Sequence, residues 1–498
     1  MQSFETDVIV VGCGAAGLTA ALAALEAGVR VINLERSSYD ERGGNTRWTE
    51  ANLLLKFDQD NFELQDAFLQ GYMTNSGFHS DPDFVAETVR DYAKWHPNVK
   101  TAPFLDAALL HAFAENIPPT LAWLQDYGVR VDTRGQPFPL CLKILPFCQI
   151  YGGGLALIEA LTPAIEARGG ELLCETTATE LIVDDMGRVC GVRGTGKRNE
   201  PVEIRAAAVV LASGGFEGNP QMLAQYGGPN TKYLKPVAKG GYYNKGEGLR
   251  MALALNAAPA GDWSDCHHQM VDPRSTQPEA LVNIWPCGVL VNSLGKRFMD
   301  EAPNNLALWQ EEPGKAVLAQ PGGIGFLIYD QQLESASDQT WRAGLRTDQG
   351  PIVADTLTEL ADALGMPPAV LIKTIDDYNV ACVDSDRVDM SFFDAQTFSF
   401  GGCGTQGLEP PKSNFARRIE KGPFYCYPVM SSICFTYGGL RVTPDAEVIN
   451  YSGEVIPGLY AAGETVGMHY GVYTGATSVL RGLTFGRLAG RHAAAQIV

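Results

Sequence analysis

Three glycines and an acid give this chain its first recognisable chemistry. Gly12-Cys13-Gly14-Ala15-Ala16-Gly17 follows the apolar run Asp7-Val8-Ile9-Val10-Val11, and Glu35, with Arg36 beside it, falls about twenty residues further on. Gly12 allows a tight turn, Gly14 lets backbone approach a pyrophosphate, and Gly17 lets a helix pack close to a sheet. Ala15 and Ala16 open that helix, whose free N–H groups and positive dipole end face the phosphates. A carboxylate at Glu35 accepts hydrogen bonds from ribose hydroxyls. The chemistry expected is dinucleotide binding. A second loop, Arg42-Gly43-Gly44-Asn45-Thr46-Arg47-Trp48-Thr49, has the paired glycines and small polar residues that lay backbone against a flat ring.

These residues need strands and helices to hold them. Strand, glycine turn, helix and strand follow one another from Thr6 to Glu35, the context a dinucleotide fingerprint requires. Asp83 to Tyr92 and Pro119 to Tyr127 read as helical, and Gly152-Gly153-Gly154 opens a helix over 156–167 as a second place for phosphate or ribose contacts. Glu171 to Glu175 reads as a strand. Ala178 to Val183 and Val189 to Val192 form a hairpin around Asp185-Met186-Gly187. Val209 to Leu211 is an apolar strand ending in Ala212-Ser213-Gly214-Gly215, small enough to pass under a nucleotide. Composition changes near Gly240, so residues 240–384 are expected to be an inserted domain between 1–239 and 385–498. Pro457 to Glu464 is a short strand into the Gly463-Glu464 turn. A small-residue helix from Thr474 to Gln496 turns its N-terminal end, with Ser478, Val479 and Leu480, towards the cofactor.

The chain has 498 residues, 45% hydrophobic and 19% charged, which makes it globular and too long for a single core. A formal charge of -19 argues against nucleic acid and anionic membranes as partners. No apolar run is long enough to span a bilayer, and no signal peptide precedes the first strand, so a cytoplasmic location is expected. The 11 cysteines show no CxxC spacing, which reads as buried thiols in a reducing compartment, without a metal or disulfide framework.

With these motifs in order, the chain resembles the flavoprotein group of fumarate reductases, succinate dehydrogenase flavoprotein subunits, 3-ketosteroid dehydrogenases and tricarballylate dehydrogenases. The resemblance rests on the two glycine loops and Val210-Leu211-Ala212-Ser213-Gly214-Gly215. It continues through Gly288-Val289-Leu290-Val291-Asn292, Gly295-Lys296-Arg297-Phe298, Lys421-Gly422-Pro423-Phe424-Tyr425, Thr436-Tyr437-Gly438-Gly439-Leu440 and Ile456 to Glu464. It implies an α/β fold, with a Rossmann-like FAD-binding domain interrupted by a mobile α+β capping domain. It also implies hydride transfer between flavin N5 and a substrate carbon. Trp48 and Thr49 stand where a covalent-FAD histidine would, so non-covalent FAD is expected.

The departures from the family are informative. No arginine lies between Arg297 and Arg342, Phe435 replaces a histidine, and Val472-Tyr473-Thr474 replaces an arginine ahead of the last helix. A dicarboxylate needs charge-assisted donors, so fumarate is disfavoured. Tyr473 precedes a small-residue run, as in ketosteroid dehydrogenases, where a tyrosine hydroxyl and a backbone N–H bind the ketone. Counting from the tyrosine gives Tyr473 and Thr477; matching the small-residue run gives Gly475 instead. For the base, Tyr470, Tyr437, Tyr243 and Tyr242 are candidates ahead of His268. Alternate strand residues face opposite ways, so one of His267, a candidate substrate contact, and His268 reaches the pocket and the other points away; Arg47 or Arg481 is a carboxylate anchor. The expected reaction is desaturation beside the carbonyl of a cyclic ketone, steroid-like or an oxocyclohexanecarboxylate, passing electrons to an unidentified acceptor. The alternatives are a tricarballylate-type acid oxidoreductase and the flavin subunit of an electron-transfer complex.

Overall fold

The computed structural model describes residues 2–54, 56–58, 61–63, 106–132, 147–303, 311–336, 344–383, 403–471, 473 and 476–497. The expected helix over 83–92 and the Gly475 N–H lie outside them.

Among these residues, six strands form a sheet in the order Glu447–Ile449, Val455–Ala461, Ala208–Leu211, Val8–Val11, Val31–Leu34 and Glu171–Leu173. Its five consecutive strands from Val455–Ala461 to Glu171–Leu173 pair in parallel, while the Glu447–Ile449 edge is antiparallel. Val8–Val11 and Ala208–Leu211 are buried throughout, which explains their continuous apolar sequences. The chain order reverses around Val8–Val11, so a crevice opens beyond the carboxyl ends of that strand and its neighbours. Gly12 and Ala212 stand at that edge.

Helix Ala15–Glu26 packs against this sheet and against the C-terminal helix Ser478–Ala495. Glycine permits both contacts. A Cβ at Gly17 would fall 1.8 Å from the Gly12 carbonyl oxygen, and one at Gly486 would fall 2.3 Å from that of Ala16. Gly490 repeats the contact against Ala20, one turn further on. The helix predicted from Pro119 starts at Ala107, capped by the Asp106 carboxylate, and carries Pro118 and Pro119 in its interior.

A four-stranded sheet of Gln2–Glu5, Pro201–Arg205, Val189–Thr195 and Thr177–Val183 holds the expected hairpin. A third sheet is built around one strand of 13 residues, Phe424–Thr436. Its first half pairs with Ile324–Asp330 and Ile352–Ala354, and its second half with Cys266–Val271 and Lys235–Pro236. This sheet therefore draws strands from both sides of the 240–384 segment. Val289, Ile328 and Cys426 face one apolar cluster, shared with the helices Leu357–Leu364 and Pro368–Ala381; Leu290, Leu327 and Val429 face another. Among the described residues no helix is long and apolar enough to cross a membrane, and every described cysteine is a free thiol.

Candidate active site

A cleft of about 310 Å³ runs from the glycine turn to the third sheet. Its nucleotide end is lined by Gly12, Gly14, Ala15, Ala16, Glu35, Arg36, Gly43, Gly44, Asn45 and Thr46, together with Ala178, Ala212, Ser213, Gly214, Gly463, Glu464, Ser478 and Val479. Gly12 has φ +111°, a left-handed conformation that favours glycine. Glu35 is buried and accepts from the N–H groups of Cys13 and Ser37, which aims its carboxylate along the cleft wall. Arg36 is tied to the Tyr243 carbonyl and to Glu247. Gly17 and Leu480 do not line the cleft; Gly17 supports the turn from behind and Leu480 is fully buried.

FAD fits this end. Bare backbone at Gly14, Gly43, Gly44 and Gly214 makes much of the wall, the first-helix N-terminus faces in without an acidic residue in its first turn, and Glu35 would supply the ribose acceptor. The Gly152 to Gly154 run contributes none of this wall. A Cβ at Gly154 would fall 1.6 Å from the Thr46 carbonyl oxygen, so these glycines bring a helix against the second loop and not against a phosphate.

A carboxyl pair stands here, Glu217 buried and Glu464 partly buried in the cleft lining. Burial and the neighbouring Glu464 charge push Glu217 well up, and burial pushes Glu464 up as well. The Asn45 amide donates to Glu217, the Asn244 amide to both acids, and the Thr436 N–H and hydroxyl to Glu464.

The far end of the cleft is lined by His267, Gln269, Glu279, Asn283, Arg346, Phe435, Tyr473 and Arg481. His267 Nδ1 lies 2.8 Å from Glu311 Oε1, and its Nε2 lies 3.0 Å from the Gln269 side-chain amide nitrogen. Gln269 Oε1 in turn accepts from Asn283. With Nδ1–H donating to the carboxylate, the Nε2 lone pair accepts from the Gln269 amide N–H. The ring packs 4.5 Å from that of Tyr473. His268 is carried to the other side of the same strand and lines a different cavity, so of the two adjacent histidines His267 is the one in the cleft.

Tyr473 is also arranged otherwise than the sequence leads one to expect. Its oxygen accepts from the N–H groups of Thr477 and Ser478, both at 3.0 Å, and its hydroxyl donates to Ser478 Oγ. The orphan donors at the start of the last helix are thus capped by the phenol. Thr477 N–H and Tyr473 O–H do not converge on a shared acceptor, and Thr477 is fully buried outside the cleft.

Tyr473 and three of the tyrosines considered as bases, Tyr437, Tyr470 and Tyr243, have raised pKa values. Burial is the main cause at Tyr473, Tyr437 and Tyr470, and at Tyr243 it is the hydrogen bond to Glu41. Tyr437, Tyr470 and the exposed Tyr242 lie outside the cleft lining, as does Arg47 in its 3-10 turn; Tyr243 lines the cleft, and its hydroxyl donates to Glu41. Arg481 is 1% exposed, donates to the Val466 carbonyl and lies over the Phe435 ring.

Four residues of this end carried no local sequence signal. Glu311 is 44 positions from His267 and comes beside it only through the helix Glu311–Leu318 packing on strand Cys266–Val271. Arg346 Nη2 lies 2.7 Å from Glu50, and Nη1 lies 3.5 Å from Glu279. Glu279 has φ +51°, and burial pushes its carboxyl up to about 7, with Arg346 opposing. Asn283 reaches the cleft by steadying Gln269.

A family profile described as FAD binding domain matches residues 7–480. The chain is 29% identical to the NADH:acrylate oxidoreductase of Vibrio harveyi over 98% of its own length and 50% of that protein. It is 28% identical to the 4-oxocyclohexanecarboxylate 2-dehydrogenase of Sinomonas cyclohexanicum, over 98% of this chain and 93% of that one. The chain spans about half the length of the first curated relatives it matches. Among solved structures, the open conformation of a flavocytochrome c3 fumarate reductase superposes with a TM-score of 0.72 at 25% identity, over 100% of this chain and 79% of that one.

Proposed function

Because the chain belongs to the FAD-binding-domain family of flavoprotein oxidoreductases, we propose that it is an FAD-dependent enzyme interconverting CH–CH and C=C bonds beside a carbonyl, in a small cyclic keto acid of the oxocyclohexanecarboxylate kind. The observation carrying this reading is the far end of the cleft, where a fully buried arginine, Arg481, stands beside the aromatic wall of Phe435 and Tyr473 and the His267–Glu311 pair. Arg481 would hold the carboxylate through charge-assisted hydrogen bonds. The aromatic side chains would pack the ring. His267 Nε2, on turning from the Gln269 amide N–H that it accepts in this structure, would take the proton from the carbon next to the carbonyl, and Glu311 would stabilise the imidazolium that forms. FAD, when bound, supplies the acceptor for the hydride that leaves the adjacent carbon, and the C=C bond forms between the two carbons. Tyr473 would act by packing against His267 and fixing the helix end, in place of the oxyanion role expected for it.

The reductive direction is a second reading, favoured by Glu279. With its carboxyl near neutrality and facing the cleft, it could return a proton to a carbon after hydride delivery. Anaerobic mixing with 4-oxocyclohexanecarboxylate, with cyclohexanone and with a steroid ketone tests the first reading. The expected outcome is flavin bleaching by the keto acid alone. Bleaching by the steroid ketone at an equal or greater rate would reject the carboxylate requirement, and reoxidation of reduced flavin by acrylate but not by the cyclic enone would favour the second reading. FAD is proposed to be held non-covalently and should enter the supernatant on acid precipitation.

A further inference from the structure

Behind the strand that carries His267 is a second cavity, of about 330 Å³, on whose wall Asp265, Cys266 and His268 stand together. They are the one group of three metal-ligating side chains found close together among the described residues, one donor atom from each lying within 4.8 Å of the others. We propose that these three form a mononuclear site for a zinc-class divalent cation, its fourth position open to the cavity.

The donor spacing is that of a tetrahedral cation. With a metal–sulfur bond of about 2.3 Å and metal–nitrogen and metal–oxygen bonds of about 2.0–2.1 Å, tetrahedral angles put the S···N edge at about 3.5 Å and the N···O edge at about 3.3 Å. Cys266 Sγ lies 3.3 Å from His268 Nε2, and His268 Nε2 lies 3.4 Å from Asp265 Oδ1. The other ring nitrogen, Nδ1, is 2.9 Å from Ser431 Oγ, an outer partner that holds the imidazole with Nε2 towards the donors. A mixed sulfur, nitrogen and oxygen set suits zinc, and it does not suit magnesium or calcium, which take oxygen.

Lys315 is the feature that opposes a cation. Its Nζ lies 2.6 Å from the other Asp265 oxygen, Oδ2, and its charge is also met by the Gly471 carbonyl at 3.0 Å and by Glu312 at 3.5 Å. It therefore holds Oδ2, while Oδ1 accepts from the Cys266 N–H at 2.8 Å and lies beside His268 Nε2. Binding is balanced by loss of the Cys266 thiol proton to solvent as the metal–sulfur bond forms. Because Lys315 also holds Gly471, two residues before Tyr473, a cation here would brace the loop at the substrate end of the cleft.

The test uses the flavin-loaded protein, dialysed against a chelator and titrated with zinc chloride. One equivalent per chain is expected, with zinc-edge X-ray absorption showing a single sulfur neighbour at about 2.3 Å. Cys266→Ser should remove the sulfur neighbour, while Cys190→Ser, on a distant sheet, should keep it. Failure to bind one equivalent, or a sulfur neighbour that survives Cys266→Ser, overturns the site and leaves a hydrogen-bonded cluster. If Cys266→Ser does not fold, Asp265→Asn decides: affinity lower by at least about tenfold supports the site, and unchanged affinity overturns it.

Discussion

Individual side chains at the far end of the cleft can be separated by substitution. His267→Gln keeps a hydrogen-bonding side chain and removes the basic nitrogen, so kcat for the proposed desaturation should fall about a hundred- to ten-thousandfold while FAD stays bound. Stopped-flow bleaching measures this, and a loss below about tenfold would remove His267 as the base. Arg481→Gln should raise KM for a keto acid far more than for a neutral ketone, since a charge-assisted anchor is lost. Glu279 carries a pH signature of its own. Its folded pKa of about 7 lies above the ordinary 4.5, so its contribution to stability is full below about pH 4.5 and is lost as pH rises through 7. Glu279→Gln should therefore gain on the parent protein as pH rises, by on the order of 2 kcal/mol at pH 8 relative to pH 5, read from paired denaturant melts. Equal differences at the two pH values would show that Glu279 ionises normally.

At the scale of elements, the decisive contact joins the first helix to the last. Gly486 lies against the Ala16 carbonyl and Gly490 against that of Ala20, close enough that a methyl group would overlap backbone in both places. The last helix carries Arg481 and the N–H groups that Tyr473 caps, and the first carries the N-terminus proposed to face the phosphates. The glycine contacts therefore set the distance between the nucleotide end and the substrate end. Gly486→Val should cost about 3 kcal/mol or more in unfolding free energy and weaken FAD retention; a normal melt with full flavin would show that the helices can part without consequence. Local pattern carried much of this layer. The apolar strands, the glycine turn and the small-residue helix were legible because burial and backbone approach act on residues adjacent in sequence. Which adjacent histidine faces the cleft was legible only as an alternation. Its sense, like the pairing of His267 with Glu311, depends on how a helix docks on a strand, and no short window of sequence records that. Tyr473 misled for a related reason: its phenol satisfies helix-end donors, and the sequence does not show where the helix starts.

For the whole molecule, the cleft lies between the parallel sheet and the third sheet, and Arg346 reaches from one side to Glu50 on the other. Closing and opening of such a site would break and remake that ion pair. Arg346→Ala should speed both FAD exchange and substrate release, an effect reduced at high salt because the pair is partly exposed; unchanged exchange would show that the pair holds nothing shut.

The strand Phe424–Thr436 also governs the order in which the protein can be made. Its partners Cys266–Val271, Ile324–Asp330 and Ile352–Ala354 all leave the ribosome first, and roughly 70 further residues follow before the strand itself begins (424 − 354). At about 5–20 residues per second, the nascent chain holds a sheet without its middle for several seconds, with Ile328 and Leu327 waiting for the neighbours that will bury them. Chaperone contact should concentrate in that interval. Nascent chains stalled before Phe424 should be cut readily by protease between residues 266 and 354, and chains long enough to expose Thr436 outside the exit tunnel should resist.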